Sequence, residues 1–364
     1  MAAGALTLVS SCRRPVSFSG YVMVAAQKSR SVAVVDLGAL TVVKHIPLGG
    51  EPTQMLAHPA RPAVYAFTPS TGTVYEIATA SLGIARKFSL GRPAQSMLLD
   101  PDGQSLWLAA IANPQLVRVS LGSFRPEARI PLPAVPFHFD ITGRGRQGPH
   151  AAVSFGNSGQ VAIIDTGKER LVHHVHVGQN AGLVRFRLDG EHVLVANPAE
   201  RRLAILDTES GAAVTDLLLA VRPDQLCFNN DGGQLFITGE GMDAVVVVYP
   251  YRTEIAQTRL AGHSPGAMAV SGTGYLFVAN PKAGDVTIIE IETQRVIAVA
   301  AVGAEPGFIA LTPNDQYALI LNRASGDMAV IRLGAIKVDS RRSAPLLTMI
   351  PVGSRPVSAA VKAL

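Results

Sequence analysis

Short apolar runs alternate with turns containing Gly, Pro or Asp along almost the whole chain. Eight runs of one kind, named strand B here, are each followed by a second run, strand C; residues 192–197 (HVLVAN) and 203–207 (LAILD) are one such pair. Most runs are continuously apolar, which is typical of strands buried on both faces. The pattern predicts many short strands and little helix.

Each repeat opens with an apolar residue and a short Gly/Pro turn, which we call the landmark turn; strand A follows it. The landmark turns end at Pro52, Pro93, Pro136, Ala181, Pro223, Pro265, Pro306 and Pro356. Subtracting successive positions gives spacings of 41 to 50 residues, the length of a four-stranded propeller blade. Asp-Gly pairs at residues 102–103, 189–190 and 231–232 predict the hairpins between strands A and B.

The first repeat lacks strand A, and the last landmark turn is followed only by residues 357–364. The C-terminal segment is therefore expected to complete the N-terminal blade, which removes two exposed sheet edges. The prediction is an all-β, single closed β-propeller of eight four-stranded blades, with seven blades as the alternative count.

Residues 275–280 (YLFVAN) with 284–289 (GDVTII), and 302–306 (VGAEP) with 312–315 (TPND), resemble the YVTN-type β-propeller repeat family. The resemblance covers residues 21–364 and implies the fold. For function it implies several classes: surface or periplasmic proteins of unknown role, lactonase-like proteins, and haem-binding propellers of bacterial nitrite reductases. Many members of the family have seven blades, so a count of eight departs from the pattern.

Residues 1–20 are interpreted as a leader ahead of a propeller domain at 21–364. Residues 9–12 (VSSC) resemble a bacterial lipobox, which predicts an exported, periplasmic or cell-surface protein anchored to a membrane through a lipidated Cys12. The basic segment that should precede a lipobox is missing, so a frayed apolar terminus is the alternative.

Charge and cysteine content exclude several classes. The net charge of +5 is spread along the chain without a basic stripe, which argues against nucleic-acid binding. Only two cysteines occur and they form no CxxC pair, so no disulfide framework is predicted. His174 and His176 have no third ligand at a suitable spacing, so no metal site is predicted, and no cofactor is predicted either. A monomer is expected, and residues 333–345 are interpreted as a polar surface-loop insertion.

Propellers usually bind at the channel mouth, where strands A converge. Side chains alternate along a strand, so residues at the same position relative to the landmark Pro should face the same way in every blade. The residues one position before this Pro should therefore form one ring at the channel mouth, and the residues two positions after it should form a second ring. Together they predict a polar, cationic funnel for a small anionic ligand such as a carboxylate or phosphate. Its residues are Arg92, Arg222, Arg355, Gln54, Gln95, His138 and Gln225. In the alternative, these arginines pair with Glu51 and Glu305 around a wet channel.

The chain contains no GxSxG or HExxH motif. These features favour an exported, non-catalytic binding or interaction propeller whose partner is an unknown protein or a small anion. The alternative is a lactonase-like hydrolase using His138 and Arg222 as base and oxyanion stabiliser. A non-covalent tetrapyrrole carrier, with His138 directed into the channel, is a third hypothesis.

Overall fold

The chain forms eight four-stranded antiparallel sheets in a computed structural model that describes residues 18–336 and 346–364. Each sheet is one blade, and neighbouring blades contact one another around the ring, mostly through their innermost strands. The predicted closed eight-bladed propeller is confirmed, and the seven-bladed alternative is wrong. A 3-10 turn at Leu333–Ala335 is the single helical element within those two ranges.

The blades are numbered from the N-terminus, and the strands in chain order. The innermost strands, A, of blades 1 to 8 are β32 (Pro356–Ala363), β4 (Gln54–Ala57), β8 (Ala94–Leu99), β12 (His138–Thr142), β16 (Val184–Phe186), β20 (Arg222–Phe228), β24 (Met268–Val270) and β28 (Pro306–Leu311). Strands B are β1 (Gly20–Ala26), β5 (Ala63–Thr68), β9 (Ser105–Ala110), β13 (His150–Ser154), β17 (His192–Asn197), β21 (Leu235–Glu240), β25 (Tyr275–Asn280) and β29 (Tyr317–Asn322). Strands C are β2 (Ser31–Asp36), β6 (Thr73–Ala78), β10 (Gln115–Ser120), β14 (Gln160–Asp165), β18 (Arg202–Asp207), β22 (Ala244–Tyr249), β26 (Asp285–Glu290) and β30 (Asp327–Arg332). The outer strands, D, are β3 (Thr41–Pro47), β7 (Gly83–Ser89), β11 (Pro126–Pro131), β15 (Arg170–His176), β19 (Ala213–Leu218), β23 (Glu254–Leu260), β27 (Arg295–Ala301) and β31 (Leu346–Pro351).

The C-terminal strand closes the ring as the sequence predicts. β32 pairs antiparallel with β1, with Val24 opposite Ala359 and Tyr21 opposite Lys362. The Lys362 ammonium also donates a hydrogen bond to the carbonyl of His58 in blade 2 at 2.6 Å. One blade therefore depends on both ends of the described chain.

The core lies between the blades. Strands B and C are almost entirely buried, whereas strands D alternate between exposed and partly buried positions. Trp107 packs between blades 3 and 4 against Phe139, and its indole N–H donates to Asp100 Oδ2 at 2.6 Å. Continuous apolar strands B and C follow from this arrangement, because each blade covers both faces of its neighbours.

Landmark turns and the turns between strands B and C lie on one side of the disc, the landmark face. The hairpins between strands A and B lie on the other side, the hairpin face. At the landmark face, Asn322 at the end of β29 donates to the Val302 carbonyl of the preceding blade at 2.7 Å. At the hairpin face, Gly190 adopts a φ of +76°, as the Asp-Gly pair predicts.

Two predicted segments fall outside the described residues: Cys12 with residues 1–17, and residues 337–345 of the insertion. Phe18 is buried, and the first strand starts at Gly20. Over the described ranges, every helix is too short to cross a membrane.

Candidate functional site

Strands A surround a cavity of about 1140 Å³ on the axis of the ring. Its wall comes from the innermost strands or their turns in every blade but the second. Small-molecule pockets are usually about 300–1,000 Å³. The channel is therefore large enough for a ligand at or above ordinary drug size.

The wall of this cavity carries more positive than negative side chains. Its charged residues are Asp102, Asp140, Arg144, Arg185, Arg187 and Arg323, four arginines against two aspartates. A cleft lined by an excess of one charge concentrates ions of the opposite sign. The channel is therefore electrostatically suited to an anion.

Two of these arginines already have protein partners at the hairpin face. Arg187 is only 8% exposed, pairs with Asp189 at 2.6 Å and lies 4.6 Å above the ring of Tyr251. Arg144 Nη1 donates to the Leu188 carbonyl at 3.3 Å. Arg144 links the hairpins of blades 4 and 5, and Arg187 links the hairpin of blade 5 to Tyr251 of blade 6.

Arg185 is less committed. Its Nη1 lies 3.6 Å from Asp140 Oδ1, and its side chain is 42% exposed. Asp140 Oδ2 accepts a hydrogen bond from the Phe186 backbone N–H at 2.8 Å. Burial raises the pKa of Asp140, and Arg185 and that N–H only partly oppose the shift. The 3.6 Å separation from Asp140 and the 42% exposure of its side chain leave the Arg185 guanidinium able to meet an anion in the cavity.

Arg323 lies at the landmark end of the cavity. Its Nη2 donates to the Gly307 carbonyl at 3.1 Å, while its Nε is buried without a hydrogen-bond partner among the described residues.

Three of the residues two positions after the landmark Pro bind the neighbouring blade. Gln54 Oε1 accepts from the Met97 N–H at 2.7 Å, and Ser358 Oγ accepts from the Met55 N–H at 3.0 Å. His138 Nδ1 accepts from the Val184 N–H at 3.3 Å. These side chains form a belt between adjacent strands A, because an innermost strand has unpaired backbone N–H groups on its channel side.

The other predicted binding residues are dispersed. Arg222 pairs with Glu240 at 3.1 Å, and Arg355 and Gln95 are exposed. Arg92 is half-buried, with an Nε that has no hydrogen-bond partner in the described residues. Of the seven, Gln225 alone is part of the cavity wall.

The alternative, in which these arginines pair with Glu51 and Glu305, is not found among the ion pairs of the described residues; Arg222 pairs with Glu240 instead. Glu51 contacts Lys28 at 3.1 Å instead of an arginine. A binding role for the seven residues stays a prediction.

Burial and the neighbouring Arg185 lower the pKa of His138 to about 3. A general base works best with a pKa near the operating pH, so this imidazole is a poor one. Burial also raises the pKa of the Cys227 thiol, which lines the cavity, to about 11. Over residues 18–336 and 346–364, no group of three or more His, Cys, Asp or Glu side chains is arranged to hold a metal.

Sequence reasoning missed Asp140, Arg185 and Arg323. Asp140 and Arg185 lie four positions after Pro136 and Ala181, so counting that offset would have found both. Arg323 directly follows strand B, an offset that carries no periodic signal. Its approach to the channel depends on Gly307, which belongs to a different strand.

No protein-family model and no curated protein sequence matches the chain. Its structure is similar to that of the dihydro-haem d1 dehydrogenase NirN in complex with DHE, with a TM-score of 0.75, 12% identity, and 97% of this chain and 77% of that chain covered. It is also similar to a functionally unknown protein from Desulfotomaculum acetoxidans, with a TM-score of 0.61, 13% identity, and coverages of 94% and 99%. A third similar structure is the β-propeller domain of Cps50 (Swd1) from Myceliophteria thermophila, with a TM-score of 0.61, 14% identity, and 77% of this chain and 95% of that chain covered. At these identities the likeness establishes the β-propeller fold alone.

Proposed function

We propose that this chain is a non-catalytic binding propeller of the YVTN repeat type, which takes a bulky anionic small molecule into its central channel. The observation that carries the proposal is the cavity of about 1140 Å³ with Arg185 in its wall, 3.6 Å from its nearest acidic partner. At 3.6 Å this ion pair is longer than a charge-assisted hydrogen bond, so the guanidinium can still bind a carboxylate or phosphate of the ligand through its other N–H groups.

The state of His138 supports a binding role over a lactonase. Its Nδ1 is engaged by a backbone N–H, and its pKa of about 3 makes it a weak base. Arg222, the other residue of the hydrolase hypothesis, pairs with Glu240. Hydrolysis of glucono-δ-lactone by the purified protein at a rate that falls in His138→Asn would favour the lactonase alternative instead.

The binding role is tested with a bulky fluorescent carboxylate, 1-pyrenebutyrate, and its uncharged counterpart, 1-pyrenebutanol, by isothermal titration calorimetry. Removing a charged hydrogen-bond partner costs about 1.5–3 kcal/mol, so Arg185→Gln should weaken pyrenebutyrate binding at least tenfold. Arg252→Gln is the matched control, since Arg252 is 73% exposed and pairs with Glu254 away from the channel. Equal binding of the two probes, or an unchanged affinity in Arg185→Gln, would refute the proposal.

A carboxylated tetrapyrrole is a second candidate ligand. The channel volume supports it, and so does the fold likeness to a protein whose structure contains DHE. The described cavity wall fits the carboxylates of such a molecule but contains no histidine to ligate its iron. Metal-free protoporphyrin IX should then bind as well as haemin in an absorbance titration, and exclusive binding of haemin would oppose this view.

Export and membrane anchoring are proposed from residues 9–12 alone. Mass spectrometry of the protein from a bacterial membrane fraction should detect a lipid on Cys12, and Cys12→Ala should release the protein into the soluble fraction. The chain is proposed to act as a monomer with no nucleic-acid partner, which size-exclusion chromatography with light scattering can check for the oligomeric state.

A further inference from the structure

A second arginine of the cavity wall, Arg323, has no carboxylate partner among the described residues, and its position depends on the absence of a side chain at Gly307. Arg323 follows β29 at the landmark face, and its backbone N–H donates to the Glu305 carbonyl at 2.9 Å. Its guanidinium crosses the inner strand β28 at Gly307. A Cβ added to Gly307 would lie only 2.3 Å from Arg323 Nε, so any other residue there would displace the guanidinium.

The guanidinium is only partly satisfied in this position. Nη2 donates to the Gly307 carbonyl at 3.1 Å, and Nε is buried with no acceptor among the described residues. Burying a charged group without full hydrogen bonding costs free energy, and a ligand acceptor would recover it. No carboxylate lies within 4.0 Å of Arg323 in the described chain.

Arg323 and Arg185 lie at different places in the same cavity. Arg185 is in the inner strand of blade 5, and Arg323 approaches from blade 8, three blades further around a ring of eight. Arg323 crosses strand A one position after the landmark Pro, whereas Arg185 lies four positions after Ala181. Three residues of strand correspond to about 10 Å along the axis. The two cations therefore lie on well-separated parts of the wall.

The wall between them, on blades 6 and 7, is uncharged and mixed in polarity. Cys227 and Met268 contribute apolar surface, and Gln225 and Asn230 contribute polar surface. Burial favours the neutral thiol of Cys227, whose pKa is about 11, so this side chain adds no charge.

From this arrangement, and resting on the proposed function, we infer that Arg323 and Gly307 form a second anion subsite, so that the channel selects an elongated molecule with an uncharged body and an anionic group at each end. A ligand of this class would meet Arg185 with one group and Arg323 with the other.

The experiment compares α,ω-dicarboxylates from adipate to hexadecanedioate with monocarboxylates of equal length, by isothermal titration calorimetry. Wild type should bind the best dicarboxylate at least tenfold more tightly than the matching monocarboxylate. Arg323→Gln should remove this preference, and Arg323→Lys should restore part of it, because a charged hydrogen bond accounts for about tenfold or more in affinity.

Gly307→Ala is an independent variant, because it leaves the arginine in the chain but occupies the space of Nε. It should mimic Arg323→Gln, and the double variant should be no worse than either single one. Arg252→Gln again serves as the control, and circular dichroism confirms that each variant folds.

The outcomes separate the two proposals. If pyrenebutyrate does not bind to wild type, or Arg185→Gln leaves its affinity unchanged, the proposed function fails and this inference with it. If pyrenebutyrate binds through Arg185 but no dicarboxylate binds more tightly than its matching monocarboxylate, this inference alone is refuted. If dicarboxylates bind through Arg185 but Arg323→Gln and Gly307→Ala keep the wild-type preference, only the second subsite is refuted. Equal weakening of mono- and dicarboxylates by Arg323→Gln also refutes it.

Discussion

His138 should make the stability of the propeller depend on pH. In the folded chain its Nδ1 accepts the Val184 N–H, which requires an unprotonated nitrogen, and burial together with Arg185 lowers its pKa to about 3. In the unfolded chain a histidine has a pKa of about 6.5. Between these two values the unfolded state binds one more proton, so the free energy of unfolding falls as the pH falls, by about 1.4 kcal/mol per unit.

From pH 7 to pH 5 this single group should cost about 2 kcal/mol of stability. Urea denaturation of wild type and His138→Asn at both pH values measures it. Asn Oδ1 can take the place of Nδ1 as an acceptor but does not titrate, so the variant should lose about 2 kcal/mol less than wild type over this interval.

His45 lies exposed on the outer strand β3, and His45→Asn should follow wild type at both pH values. If His138→Asn loses as much stability as wild type between pH 7 and pH 5, the imidazole is not held neutral by the belt between strands A, and the reasoning is refuted.

Two further predictions concern the ring and its turns. Deleting residues 356–364 removes β32 and its whole ladder with β1, so at about 1 kcal/mol per backbone hydrogen bond the free energy of unfolding should fall by several kcal/mol. Thermal unfolding measures this loss, and Leu364→Ser, at a residue that is 70% exposed, is the control. An unchanged melting temperature after the deletion would contradict closure of the ring by β32. Gly190→Ala places a Cβ 2.0 Å from the Arg144 carbonyl at a φ of +76°, whereas Gly91→Ala, at +69°, meets nothing within 4 Å. Gly91→Ala should therefore lower the free energy of unfolding, measured by urea denaturation, by about 1 kcal/mol, and Gly190→Ala should lower it by clearly more. Equal losses in the two variants would show that the hairpin contact between blades 4 and 5 does not constrain Gly190.

Much of the fold was predictable because its signals are local and repeated. The landmark turns recur at blade spacing, and the missing first strand A together with the spare C-terminal segment predicts the pairing of β32 with β1. Asn322 ends strand B, and its side chain donates a hydrogen bond that holds the following turn to the preceding blade. Eight repetitions of a weak pattern make a strong prediction.

The channel was less predictable because side-chain direction there depends on neighbouring blades. Gln54 and His138 were expected to face a ligand, but each reaches sideways to a backbone N–H of the next strand A. Arg323 reaches the cavity only because Gly307, in another strand, has no side chain. Contacts of this kind arise between residues far apart in sequence, and no periodic pattern encodes them.

The central claim is that an anionic molecule binds within the channel. A crystal structure of the protein with dodecanedioate tests it most directly. The account predicts density for the diacid on the axis of the ring, with one carboxylate within hydrogen-bond distance of Arg185 and the other at Arg323. Density confined to the rim or the outer strands, with an empty channel at saturating ligand, would contradict it.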